Sequence, residues 1–174
     1  ISQLNSIKNK IDILKKKIND SFNIINDDDF KVTHFEERYL VTTPSTKGIE
    51  SSDLLDYTTL ECLMESYKIK SIYESGTLYY IDKTGHPIPT FIFELITKED
   101  YLKNKDLFSI IPTGNYLTLS YTNKNRTEKM LQLKKFILEN KLYVTHCLEL
   151  DLFTDIFDVN ACSWQLQVYI KEYN

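Results

Sequence analysis

Glycine and proline are scarce, four of each in 174 residues, and none of the glycines falls in the kind of Gly-rich run that wraps a phosphate. Nucleotide-loop chemistry has no support. The three cysteines, Cys62, Cys147 and Cys162, are odd in number and far apart, which fits neither a disulfide framework nor paired thiolate ligands. They read as reduced thiols. His34, His86 and His146 are equally scattered, so no two imidazoles share one face of an element, and neither a metal site nor a cofactor is expected. Positive charge is also in short supply, with 21 Lys and Arg against 25 Asp and Glu and a net charge of −4. Holding a phosphate backbone needs a concentrated basic face, so any DNA contact is expected to lie outside this stretch. No apolar run approaches the ~20 residues that span a bilayer, and no charged-then-apolar leader opens the chain. Neither membrane insertion nor secretion is expected, and a cytoplasmic home follows. The Ser, His and Asp content gives no sign of a nucleophilic triad.

What is present is 42% hydrophobic residue content, enough for one sizeable core or two small repeated units. The chain opens at Ile1, without Met and already in helical pattern, which suggests a longer protein with a further N-terminal domain. From there Leu4, Ile7, Ile11, Leu14, Ile18 and Ile25 recur at steps of three and four, with Ser21 filling the remaining position. That is a heptad stripe. Between these positions stand Lys, Asn, Asp and Gln, so an isolated helix would expose an uncovered apolar seam. A coiled-coil helix over 1–25 that pairs with a second copy, giving a homodimer, covers it economically. Packing of the seam on the chain's own globular part is the other solution. Asn26-Asp27-Asp28-Asp29 breaks the pattern and marks a linker over 26–30, ahead of a globular domain over 31–174.

Within that domain one plan recurs. A strand pattern from Lys31 to Thr43 leads to a helix with Ser51 or Ser52 as its cap and a stripe through Tyr57, Leu60, Met64 and Tyr67. Strands over 73–82 and 90–97 follow, separated by the Lys83-Thr84-Gly85-His86-Pro87 turn. After the turn at Pro112-Thr113-Gly114 come a strand over 115–122 and a helix to about Asn140, with Asn125 and Glu128 as its capping box. Met130, Leu133 and Ile137 form that helix's stripe, and strands over 144–153 and 164–171 close the unit. The expected class is α+β, two βαββ halves at about 31–105 and 106–174, with one antiparallel sheet and both helices on one face. No residue-level identity links the halves, and an α+β domain without internal symmetry fits the pattern too.

Ile111-Pro112-Thr113-Gly114-Asn115-Tyr116, Ser120-Tyr121-Thr122 and Val144 through Leu150 resemble the C-terminal drug-binding domain of MerR-family transcriptional regulators of the BmrR type, whose fold is GyrI-like. The heptad helix is similar to the dimerisation helix that joins such domains to a DNA-binding winged helix. The resemblance implies a sensor of small lipophilic, notably cationic, molecules that acts on promoter DNA through an N-terminal domain absent from this sequence. In that family a glutamate on the penultimate strand balances the ligand's charge inside an aromatic pocket. Glu149 occupies the matching place, with Tyr121, Trp164 and Tyr57 at the matching aromatic positions. Tyrosine is more usual than tryptophan at position 164, which changes the pocket's shape. A metal-sensing branch of the family carries cysteines around the dimerisation helix, and none stands there here.

Elementary physics allows such a pocket. Aromatic faces attract a delocalised cation by about 0.5–2 kcal/mol each, and one carboxylate can balance its charge. Twelve Tyr, nine Phe and one Trp supply faces, although aromatics also serve as ordinary sheet packing. Alternation puts Glu149 with Cys147 and Asp151, opposite Leu148, Leu150 and Leu152, a pattern that by itself describes a solvent-facing carboxylate. The same rule groups Tyr121 with Leu117 and Leu119. Two other functions compete with the non-enzymatic sensor. Some free-standing GyrI-like proteins resemble hydrolases that use a pocket glutamate and a tryptophan, roles open to Glu149 and Trp164, and a pure protein-interaction module is the third reading.

Overall fold

A computed structural model describes residues 7–8, 11–12, 15, 30–45, 54–144, 146–154 and 157–170. Of the heptad positions, Ile7 and Ile11 are described; both are helical and about half exposed, at 56% and 45%. Leu4, Leu14, Ile18 and Ile25 lie outside the described residues, as do the acidic linker and the cap at Ser51 or Ser52.

The domain is dominated by one antiparallel sheet of eight strands: β1 (Lys31–Phe35), β2 (Arg38–Pro44), β3 (Ser75–Ile81), β4 (Pro87–Ile96), β5 (Ser109–Ile111), β6 (Gly114–Thr122), β7 (His146–Phe153) and β8 (Ser163–Tyr169). Among the described residues of the domain three α-helices accompany it, α1 (Leu54–Ser66), α2 (Lys98–Lys103) and α3 (Arg126–Glu139). The strand order is β1-β6-β8-β7-β3-β4-β2-β5. It reads the same from either side of the β3–β7 junction, since β2-β4-β3 is answered by β6-β8-β7, and β5 joins β2 as β1 joins β6. Such a curled sheet with few helices is consistent with a GyrI-like domain.

The curl follows from chain connectivity. β1 and β2 stand six strand spacings apart, about 29 Å on a flat sheet. Only Glu36 and Glu37 join them, a link that reaches about 10 Å. The sheet must therefore bend until its two ends meet. Pro112 and Thr113 impose the same condition between β5 and β6. The single strand expected over 31–43 is thus two, broken at Glu36-Glu37, where the chain leaves the β1 edge for the strand next to the opposite edge. Arg38 fastens the closure: its Nη1 donates to Gln167 Oε1 at 2.7 Å, and its guanidinium lies 4.3 Å from the Phe35 ring centre and 5.3 Å from that of Tyr116. Nε and Nη2 are buried without hydrogen-bond acceptors, and the two ring faces are what they meet instead.

Strand alternation sorts the residues onto two faces. Leu40, Phe93, Leu95, Tyr116, Leu148 and Leu150 cluster on one. The other carries the helices. α1 lays Leu60 and Met64 against Val41, Ile92 and Ile96, and α3 lays Leu133, Met130 and Ile137 against Leu117, Leu119 and Leu166. Gly76 lies at the β3–β7 junction, where a Cβ would come within 1.9 Å of the Glu149 carbonyl oxygen; only glycine lets the two strands approach.

Two short elements, α2 and β5, occupy a stretch for which the sequence pattern specifies nothing. Thr97 caps α2 by accepting a hydrogen bond from the Asp100 amide at 3.1 Å. The capping box expected at Asn125 and Glu128 does not form. Asn125 is the N-cap residue, yet its Oδ1 accepts from the Thr122 amide at 2.8 Å and makes no cap bond. This folds the β6–α3 turn back on itself. Asp82 organises the β3–β4 turn in a similar way, accepting from the amides of Thr84 and His86, with Gly85 at φ 78°.

Candidate functional site

Three neighbouring strands set the geometry. In β7, Glu149 pairs with Leu166 of β8 and with Thr77 of β3. One row along, Tyr121 of β6, Trp164 of β8 and Asp151 of β7 stand side by side. All point to the helix face. Tyr121 is two strands from Glu149, about 10 Å between backbones, a gap its long ring can span diagonally. Tyr121 Oη donates to Glu149 Oε2, and Tyr79 Oη from β3 donates to Oε1 at 2.9 Å. Glu149 is 4% exposed. The solvent-facing carboxylate that alternation alone describes is therefore wrong, because the polar face of β7 lies under the helices.

Arg126 completes the arrangement, and sequence reasoning missed it. As the first residue of α3 it is carried over the sheet by the Thr122–Asn125 turn, and its Nη2 lies 3.5 Å from both Glu149 oxygens. Its guanidinium also sits 5.5 Å from the centre of the Trp164 ring, which stacks on Tyr121 at 5.8 Å and 29°. The available signal was its spacing: five residues beyond Tyr121, across a tight turn, it had to land near the same place.

Glu149, Tyr121 and Trp164 are thus in one cluster. Tyr57 of α1 reaches its margin, donating its hydroxyl to Asp151 Oδ2 at 2.9 Å rather than to Glu149. Burial pushes the Glu149 carboxyl up to about 8; the Tyr79 hydrogen bond pulls it back down, and the Asp151 charge adds to the rise. Burial likewise raises the Tyr57 and Tyr79 hydroxyls, reinforced by the carboxylates beside them, so both remain donors. Cys147, on the same face, is pushed up to about 12 by burial and is an inert thiol.

A cavity of about 340 Å³ adjoins the cluster between α3 and the β3–β4 turn. Its walls include Tyr79, Met130, Leu133, Ile137 and Leu166, together with the charged Arg126 and Lys134. Glu149 is not in the wall; Tyr79 and Arg126, which touch both, stand between carboxylate and cavity. The space is mostly apolar, opens beside a buried carboxylate, and is large enough for a small organic molecule. Among the described residues, no group of three or more His, Cys, Asp or Glu side chains could hold a metal ion, and no helix is long and apolar enough to cross a membrane.

No family model and no curated protein matches the sequence. Solved structures share the fold at low identity. The C-terminal domain of EcmrR aligns over 83% of this chain and 98% of its own, at 12% identity and a TM-score of 0.58. EcmrR in its complex with DNA aligns over 99% of this chain and 68% of its own, at 13% identity and 0.56. SAV2435 bound to tetraphenylphosphonium aligns over 82% and 94%, at 12% identity and 0.50, and a hydrolase from Listeria innocua over 89% and 98%, at 8% identity and 0.51.

Proposed function

We propose that this domain is the effector-sensing part of a MerR-type transcriptional regulator and that it binds small lipophilic cations at Glu149. The observation that carries the reading is a buried carboxylate, ringed by Tyr121, Tyr79 and Trp164, beside an apolar cavity. A carboxylate in such surroundings is costly unless a cation joins it. A delocalised cation sheds its water cheaply and gains from each ring face. The fold shared with EcmrR and with tetraphenylphosphonium-bound SAV2435 supports the same reading. Tyr57 would hold the α1 side of the site through Asp151. Signal transfer would run through a homodimer joined by the heptad helix, with promoter DNA held by a domain outside this sequence. For that, the effector must distinguish two dimer states.

Hydrolysis is the competing use of the site, since a carboxyl near 8 is a competent general base and a hydrolase shares the fold. Two tyrosines and an arginine close off Glu149, which favours binding over attack by water. Calorimetric titration with tetraphenylphosphonium at pH 7 tests the choice. Saturable binding, at least tenfold weaker in Glu149→Gln, is expected. Because the carboxyl is mostly protonated at that pH, binding should also release protons, visible as a buffer-dependent heat. No binding by the parent protein, or turnover of ester substrates that Glu149→Gln abolishes, would sink the sensor reading.

A further inference from the structure

We infer that Arg126 is a resident cation: it occupies the electrostatic place an effector would take, and an incoming cation takes Glu149 by displacing it. This rests on the proposed function and adds the step by which ligands are selected. Two of the contacts that would recognise a lipophilic cation, the carboxylate and the Trp164 ring, are already made by this side chain. Its guanidinium is flat and delocalised, lies 3.5 Å from both carboxylate oxygens, and faces Trp164 at 5.5 Å. It is also placed to leave. Arg126 lies in the first turn of α3, its side chain is 21% exposed, and it lines the 340 Å³ cavity. Turning toward the cavity mouth would return the guanidinium to water while a ligand in the cavity reaches the carboxylate.

Exchange rather than simple entry sets a selectivity threshold. A ligand must recover the Arg126–Glu149 attraction and the ring contact that it breaks. Small, strongly hydrated cations gain too little from the apolar walls to do so. Bulky aromatic cations bury surface along Met130, Leu133 and Ile137 and can. Neutral lipophilic molecules can fill the cavity and leave the pair in place. The site would then grade ligands by whether they move the start of α3.

The test uses Arg126→Ala, Arg126→Gln and Arg126→Lys at pH 9, where the Glu149 carboxyl is ionised in the parent. Tetraphenylphosphonium is expected to bind Arg126→Ala and Arg126→Gln at least tenfold more tightly than the parent, with Arg126→Lys close to the parent. A second readout needs no effector. Ethylguanidinium should raise the melting temperature of Arg126→Ala saturably, but not that of the parent or of Arg126→Ala/Glu149→Gln. Unchanged or weaker tetraphenylphosphonium binding in the neutral variants, with Glu149→Gln still impaired, would overturn the inference and leave the sensor reading standing. Absence of binding in every protein would sink the sensor reading, while ethylguanidinium rescue would still decide whether Arg126 fills a cation site. Failure of that rescue overturns the resident cation in either case.

Discussion

In the first half of the sheet, α1 lies over β2 and β4 and meets an apolar wall, with Leu60 and Met64 against Val41, Ile92 and Ile96. In the second half, α3 lies over β6 in the corresponding position, but its first turn carries Arg126, and Glu149 and Tyr121 look up from beneath it. Across the junction, the strand residue opposite Glu149 is Thr77. One architecture thus holds two uses of the same space. The first half contributes a packed core and lends Tyr79 and Tyr57 to the site. The second accepts a desolvated ion pair and a cavity, an arrangement that costs stability and that the first half helps to offset.

The sharpest way to break this division is to push the halves apart. Gly76→Ala places a methyl against the Glu149 carbonyl, and we expect it to cost ~4 kcal/mol in urea unfolding while also disturbing the site. An unfolding midpoint close to the parent's would mean that the junction can yield without strain. Leu60→Ala should weaken the first half alone. A loss of ~3 kcal/mol is expected, with tetraphenylphosphonium affinity retained in the folded protein. Loss of affinity in step with stability would show that the halves are not separable.

The third effect concerns pH. The Glu149 carboxyl is raised from 4.5 to about 8 on folding, so between those values the native state binds more protons than the unfolded chain. Stability from this group is full below about pH 4.5, falls as pH rises toward 8, and stays reduced above it. Glu149→Gln should flatten that fall, so that the variant gains on the parent as pH rises from 5 toward 9. Parallel stability profiles for the two proteins across pH 5–9 would show that the carboxylate is satisfied in either state.

Long periodic segments were legible in the sequence and short ones were not. The strand expected over 115–122 is Gly114–Thr122, and the helix expected to end near Asn140 is Arg126–Glu139, because each carries several repeats of its own period. α2, with six residues, and β5, with three, are too short to show a period. The break at Glu36-Glu37 was hidden because no Gly, Pro, Asn or Asp marks a turn there; a tertiary demand, joining the two ends of a curled sheet, put it there. For the site, alternation grouped Glu149 with Asp151 and Tyr121 with Leu117 and Leu119. Which face lies under the helices depends on how the sheet and helices stack, and no local pattern records that. Arg126 escaped notice because an arginine at a helix start reads as surface charge.

The two-residue links that curl the sheet also fix an order of events. β1 has its partner in β6, some 80 residues further on, and Arg38 reaches Gln167, 129 residues away. Contacts so distant in sequence make for slow folding. As the chain leaves the ribosome, β1 must wait, edge uncovered, until Gly114–Thr122 has emerged, and Arg38 has no acceptor at Gln167 until nearly the last strand is made. The first half therefore cannot complete its own closure. A chain truncated anywhere before β8 leaves β6 and β7 without the strand that lies between them and is a substrate for aggregation or degradation rather than a smaller working domain.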